Sequence, residues 1–341
     1  MESRKVQTVG NGTYTVSLPK EWAESQGVSS GDTVTLHDHI DGVLAVQTGN
    51  GDSVDPPVAR IESADPEVIE RALRAAYAAG AREVTLERDE PLTPDQRRVV
   101  ERVARNRIGM SVAAESETAT TAQIMLDSTE VSVSQSLRQL AFTVRSIHRD
   151  AVEALAAPPD ASPIGSRDGQ VDRLASMIDR SVSRGMTDLG EVDALGTTRP
   201  ELFESWTAMR ELCRFRDAAA DIGDAAAALD HPPSAARLAT CRDVGRAVRE
   251  VVSDGVSVAL GDEGADVARS AVGELRRTRD ELDALDRQLD GAAEGAVELR
   301  RAARGLRRTA ECGGDVAEIG LRRAVRCRET IRDREPARTD E

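Results

Sequence analysis

Lysine is almost missing from this chain: among 45 basic residues only Lys5 and Lys20 are lysine, so nearly every cation is an arginine. Set against 60 acids, these leave a formal net charge of -15. Salt screens the self-repulsion of so acidic a surface, while the charge keeps the protein dispersed, and the combination fits a salt-rich, halophilic cytosol. A GC-rich coding bias would explain arginine in place of lysine but not the excess of acid. Aromatic residues are scarce too, at 2%. With much of the apolar fraction being alanine, slim and closely packed helices are expected, not a thick β-sandwich core. The four cysteines, Cys213, Cys241, Cys312 and Cys327, show no C-x-x-C spacing, which argues against a disulfide framework and for small core fillers. No N-terminal apolar segment of the secretory kind is present, and no apolar run approaches the roughly 18 to 20 residues that span a bilayer. A cytoplasmic chain without membrane insertion is expected. Enzymatic signatures are lacking as well. His37, His39, His148 and His231 are scattered, no glycine-rich phosphate loop opens a helix, and no nucleophile motif occurs, so the chain is not expected to be an enzyme.

At 341 residues the chain exceeds the usual single domain. Residues 1–48 stand apart, because apolar and polar residues alternate and turn dipeptides punctuate them. Tyr14, Val16 and Leu18 alternate after Gly10-Asn11-Gly12, and Val34 and Leu36 alternate before Asp41-Gly42 and Val43 to Val46. Four short strands follow, with Pro19 as the first residue of a short helix closed by Gly27. Apolar faces this small do not make a secure core alone, and an intertwined dimer would supply the missing half. Residues 49–58, rich in glycine and proline, read as a linker. In residues 59–128 two helices open on Asp65-Pro66 and Thr93-Pro94, each an N-cap followed by proline. Strand-like stretches at 83–87, 110–115 and 122–126 complete an α/β connector.

From about residue 130 the pattern is helical and repeats. A shift of 94 positions aligns Asp168 with Asp262, Asp172 with Asp266, Leu212 with Leu306, Arg214 with Arg308, Asp217 with Glu311 and Asp221 with Asp315. Helices are expected at 131–156, 167–187 and 201–230, then at 235–259, 262–290 and 294–332, which makes two tandem three-helix bundles. Each repeat holds two acid-x-x-x-acid pairs: Asp168/Asp172 with Asp217/Asp221, and Asp262/Asp266 with Glu311/Asp315. At that spacing on a helix both carboxylates share a face about one turn apart, and two such pairs on facing helices could surround a hard cation with oxygen. Asp168 and Asp172 lie beside the Val171, Leu174, Ile178, Val182 stripe, so the acids belong to the bundle surface. Like charges at this spacing are also common on the solvated faces of acidic proteins. What distinguishes these is their recurrence, together with Arg214 and Arg308, each three residues ahead of an acid and able to pair with a carboxylate or a bound anion.

The stretches from Arg167 to Leu174, Arg214 to Ile222 and Arg308 to Ile319 resemble the paired acidic motifs of PhoU proteins. That resemblance covers about residues 130–332. It implies two tandem three-helix bundles with metal, iron or zinc foremost and magnesium also suitable, on the eight acids named above. It also implies negative regulation of phosphate uptake and phosphate homeostasis. Gly313 and Gly314 depart from a good helical pattern between Glu311 and Asp315. The N-terminal run from Arg4 through Trp22, with Gly31-Asp32 and Asp41-Gly42, resembles SpoVT/AbrB-type swapped-hairpin domains, which form interleaved β-barrel dimers and bind DNA. The two together are similar to archaeal phosphate-uptake regulators.

The expected fold is thus mostly α. Residues 1–48 are the swapped-hairpin β-barrel domain, 49–58 the linker, 59–128 the α/β connector, 129–233 and 234–333 the two PhoU-like repeats, and 334–341 a disordered tail. The expected partners are a second copy through residues 1–48, promoter DNA through Arg4, Lys5 and Lys20, and a phosphate transporter or sensor component. DNA binding is weighed against three basic and six acidic residues in 1–48, where a pure dimerisation module is the alternative. For the whole chain the alternative is a metal-free helical scaffold that dimerises and binds no DNA.

Overall fold

The computed structural model describes residues 3–10, 12–38, 42–48, 57–156, 165–288 and 295–330. All but the last two residues of the expected linker, and the whole expected tail, lie outside that set, as does His39.

Two hairpins make up the N-terminal segment. β1 (Gln7–Val9) pairs antiparallel with β2 (Thr13–Thr15), and β3 (Val34–Asp38) with β4 (Leu44–Thr48). Between them runs α1 (Lys20–Ser25), with Pro19 as its N-cap and not, as expected, its first residue. The two hairpins form separate two-stranded sheets, and no closed barrel forms within one copy among the described residues. Isolated two-stranded ribbons are marginal in water. Here their apolar side chains stay in solvent: Val9, Tyr14, Leu36 and Leu44 are all exposed, Tyr14 by 77%.

The connector is a four-stranded sheet carrying two helices. β5 (Val58–Ile61), α2 (Pro66–Ala78) and β6 (Glu83–Glu87) form a parallel crossover, followed by α3 (Pro94–Arg105), β7 (Met110–Glu115) and β8 (Ala119–Ile124). The strand order is β5-β6-β8-β7. The expected caps are in place: Asp65 accepts from the Glu67 amide at 2.8 Å, and Thr93 and Gln96 form a reciprocal capping box. β8 starts three residues earlier than its sequence pattern implied, because Ser116 and Ala119 close a tight turn on each other. β5, absent from the sequence reading, is a short edge strand whose parallel pairing is non-local. Ile69, Leu73, Tyr77, Val84, Leu86 and Val100 form this unit's own core.

The remainder is helical: α4 (Val133–Glu153), α5 (Gly165–Thr187), a short α6 (Leu189–Ala194), α7 (Arg199–Ala227), α8 (Ala235–Leu260), α9 (Ala265–Gln288) and α10 (Ala296–Arg326). α4, α5 and α7 make one three-helix bundle, and α8, α9 and α10 the other. α10 also lies along α7, and α4 along α8, so the two bundles share one continuous core while α5 and α9 flank it. The Val171, Leu174, Ile178, Val182 stripe faces that core as its spacing requires. Gly313 and Gly314 do not interrupt α10. They are buried where the helix comes close to Val251 and Val252 of α8 and Leu275 of α9.

Arg180 of α5 joins connector to bundle. It is fully buried, and its Nη1 donates to the carbonyls of Tyr77 and Ala81, both at 2.9 Å, at the C-terminal end of α2, where the helix dipole favours a cation. The guanidinium also lies over the Tyr77 ring. Burial pushes its pKa down to about 10, which keeps it charged near neutrality, and lifts the Tyr77 phenol to about 12.

Candidate functional site

Three acids of the first bundle converge, and an arginine stands among them. Asp168 and Asp172 sit on α5 and Asp217 on α7, all partly or largely exposed. Arg216 places Nη1 3.1 Å from Asp172 and 3.9 Å from Asp168, and Nε 2.8 Å from Asp217. Its side chain is only 18% exposed. Neighbouring carboxylates outweigh the effect of burial and raise its pKa, so the guanidinium is firmly charged. Asp221, one turn further along α7, turns to the second bundle and pairs with Arg308 of α10 at 2.6 Å. Arg214 recurs as Arg308 in the second repeat and is the expected partner for these acids. In the structure Arg214 pairs with Glu211 on its own helix, and the adjacent Arg216 reaches across to α5.

In the second bundle the two pairs are apart. Asp262 precedes α9, lies outside any helix, and is held by Arg138 of α4 at 2.7 Å. Asp266 is in the first turn of α9, and the Ala265 amide donates to Glu329 at 2.8 Å, which places the start of α9 beside the end of α10. Asp315 lies 11 residues before the end of α10 at Arg326, about 16 Å along the axis. Glu311 is further still. The expected register of 94 fails between α5 and α9: Ile178 is buried, whereas Val272, its counterpart 94 positions on, is exposed. Glu311 and Asp315 project from α10 into solvent.

A resident metal ion would need its carboxylates around one centre. In the first bundle a guanidinium holds that centre, and in the second the acids do not meet. No group of three or more His, Cys, Asp or Glu side chains among the described residues is arranged to hold an ion. As placed, the residues do not fit the metal clusters that the sequence resemblance implied.

His148 of α4 is fully buried where the two bundles join. Its Nε2 lies 3.2 Å from Thr309 Oγ1, its Nδ1 lies 3.2 Å from Arg249, and its ring packs at a tilt against Phe215. Arg249 only donates, so Nδ1 accepts and the proton sits on Nε2, directed at Thr309. Desolvation, then the nearby Arg249 charge, push its pKa down to about 3. This histidine is a neutral core group. Burial likewise raises the thiols of Cys213 and Cys241 to about 11 and of Cys312 to about 12. Cys327 differs in being exposed.

Residues 7–50 match the family described as Antidote-toxin recognition MazE, bacterial antitoxin. They are a MazE/AbrB-like domain. The chain is also similar to the crystal structure of PhoU from Pseudomonas aeruginosa, with 21% identity and a TM-score of 0.49 over 57% of this chain and 96% of that one. No curated protein matches. In the MazE/AbrB-like domain, Arg4, Lys5 and Lys20 are all exposed, and Lys20 pairs with Glu24 at 3.6 Å. No described helix is long and apolar enough to cross a membrane.

Proposed function

We propose that this protein is a dimeric regulator of phosphate uptake and phosphate homeostasis, acting negatively in the cytoplasm. The observation that carries the reading is the joining, in one chain, of a MazE/AbrB-like domain to two three-helix bundles whose acidic motifs resemble those of PhoU proteins. The first part supplies a two-fold dimer, and with it a doubled set of Arg4, Lys5 and Lys20 for promoter DNA. The second presents long helical faces to a phosphate transporter or sensor component. Catalysis is assigned to neither. Deleting the gene and following phosphate uptake under rich and poor supply tests the role: uptake should stay high in phosphate-rich medium, and unchanged uptake in both media would remove the proposal. Retardation of a phosphate-transport promoter, lost on replacing Arg4, Lys5 and Lys20 by alanine, tests the DNA arm.

A second reading, the metal-free helical scaffold, is favoured by Arg216 standing among Asp168, Asp172 and Asp217. Iron, zinc and magnesium analysis of the purified protein, with and without Asp217→Ala and Asp221→Ala, separates the two. Stoichiometric metal in wild type that the substitutions remove supports the metal-bearing form. Negligible metal in both supports the scaffold.

A further inference from the structure

The run from Leu299 to Ala310 on α10 carries Arg300, Arg301, Arg304, Arg307 and Arg308 and no acid, in a chain of net charge -15. Around Arg304, the positions three and four residues away in both directions, 300, 301, 307 and 308, are all arginine. Like charges at those spacings oppose helix formation unless something neutralises them. Arg307 is neutralised by Asp283 and Asp286 of α9, at 2.9 and 2.8 Å, and Arg308 by Asp221 of α7. Arg301 and Arg304 make no ion pair or hydrogen bond among the described residues.

These two side chains border an open cavity of about 220 Å³, lined by Asp221, Arg301, Arg304, Gly305 and Arg308. Gly305 forms its floor. A side chain there would collide with Ile222 and crowd the Ala218 carbonyl, because α7 and α10 approach closely at this point. The groove therefore offers two guanidinium forks, Arg301 and Arg304, beside the Arg308–Asp221 pair.

We propose that this groove binds a small phosphate-type oxyanion. Guanidinium forks match phosphate oxygens in pairs, and two of them on one ridge can share a multivalent anion that a single arginine would not hold. The volume falls below the roughly 300 Å³ at which drug-sized sites begin, which suits an orthophosphate or diphosphate group. The ridge from Arg301 to Arg308 is about 10 Å long, and Asp221 stands at its edge. A compact anion fits that shape, whereas a nucleic-acid strand would have to run past Asp221 into an acidic surface. The bound anion would supply Arg301 and Arg304 with the counter-charge the fold withholds, and it would sit where α7 of the first bundle meets α10 of the second, so occupancy would reach both bundles at once.

The choice of a phosphate ligand rests on the phosphate-responsive reading above; the basic groove does not. Isothermal titration of the full chain with pyrophosphate, at fixed ionic strength, tests the site. Saturable binding is expected in wild type and in an R71Q/R98Q control, which removes two exposed connector arginines. Weakening by about tenfold or more is expected in R301Q/R304Q. No saturable binding to wild type, or equal affinity in all three proteins, would overturn the proposal. Should R301Q/R304Q fail to fold, R304K decides, since it keeps the charge but loses the fork: weaker binding supports the site and unchanged binding overturns it. Parallel titrations with orthophosphate and with ATP show whether the oxyanion is free or carried on a nucleotide. Unaltered phosphate uptake on gene deletion would remove the physiological reading while pyrophosphate binding stood, so the two failures are distinct.

Discussion

At Arg216 a single guanidinium separates three carboxylates that would otherwise face one another across α5 and α7. Replacing it by glutamine leaves the acids in place and removes their shared counter-ion, which is the arrangement a hard cation needs. Wild-type protein is therefore expected to melt at the same temperature in chelator and in millimolar magnesium or zinc. The R216Q variant should gain a few degrees from the divalent ion, the scale of about 1 to 2 kcal/mol of linkage in a chain of this size. Differential scanning calorimetry reads the comparison, and an equal shift in wild type would show that Arg216 is not the resident cation. His148 gives a second residue-level expectation. Its folded pKa is held near 3, below the ordinary 6.5, so between those values the unfolded chain binds a proton that the native one refuses. Stability should then rise with pH across that window and fall on acidification, by about 1.4 kcal/mol per pH unit from this group alone. From pH 6.5 to 5, denaturant titrations should show wild type losing about 2 kcal/mol more than H148Q. Parallel loss in both would assign the acid sensitivity to carboxylates instead.

Among the elements, the closest helix contacts are set by glycines, and these give opposite expectations at two positions. A Cβ at Gly255 of α8 would lie 2.8 Å from the Ala317 amide nitrogen of α10, a backbone atom that cannot swing away. G255A should destabilise by about 1 to 3 kcal/mol, because the helices must move apart. Gly273 of α9 has open space around its Cβ position, so G273A should stabilise by about 0.5 to 1 kcal/mol through helix propensity. Chemical denaturation of the pair checks both signs. Elements of this kind were legible in the sequence where the signal is local. The caps at Asp65 and Thr93 and the apolar stripe through Val171 and Val182 depend only on neighbours three or four residues away. β5 and α6 were not legible, since a four-residue edge strand and a six-residue helix show too little periodicity to stand out. The pairing of acids in the second bundle was misplaced for a related reason. Aligning Asp168 with Asp262 matched residue types along the chain, whereas the start of α9 is set by the turn at Gly261, where the chain enters the left-handed region. For the site, the acids were visible and their counter-ion was not. Arg216 lies next to Asp217 in sequence, but its reach to Asp168 and Asp172 exists only once α5 and α7 are side by side.

On the scale of the whole molecule, the helical body buries most of its apolar residues in one core, and the N-terminal hairpins do not. Val9, Tyr14, Leu36 and Leu44 stay in water in a single copy, and the two hairpins form separate two-stranded sheets. On the dimeric reading proposed above, a second chain supplying the same two hairpins would cover those faces and join the ribbons into one sheet system. Full burial of a tyrosine or leucine side chain contributes about 1.5 to 3 kcal/mol. Placing aspartate at two such positions in the full chain, Tyr14→Asp with Leu36→Asp, should weaken the dimer by about 4 kcal/mol, or about a thousandfold in Kd. Light scattering coupled to size exclusion at micromolar protein should give a dimer for wild type and a monomer for the double variant, with unchanged helical circular dichroism because α4 to α10 have their own core. A wild-type monomer, or a variant that stays dimeric, would place the association elsewhere. The remaining candidates are then the helical faces, where Phe142 of α4 and Phe203 of α7 are exposed large side chains in a chain with only three phenylalanines.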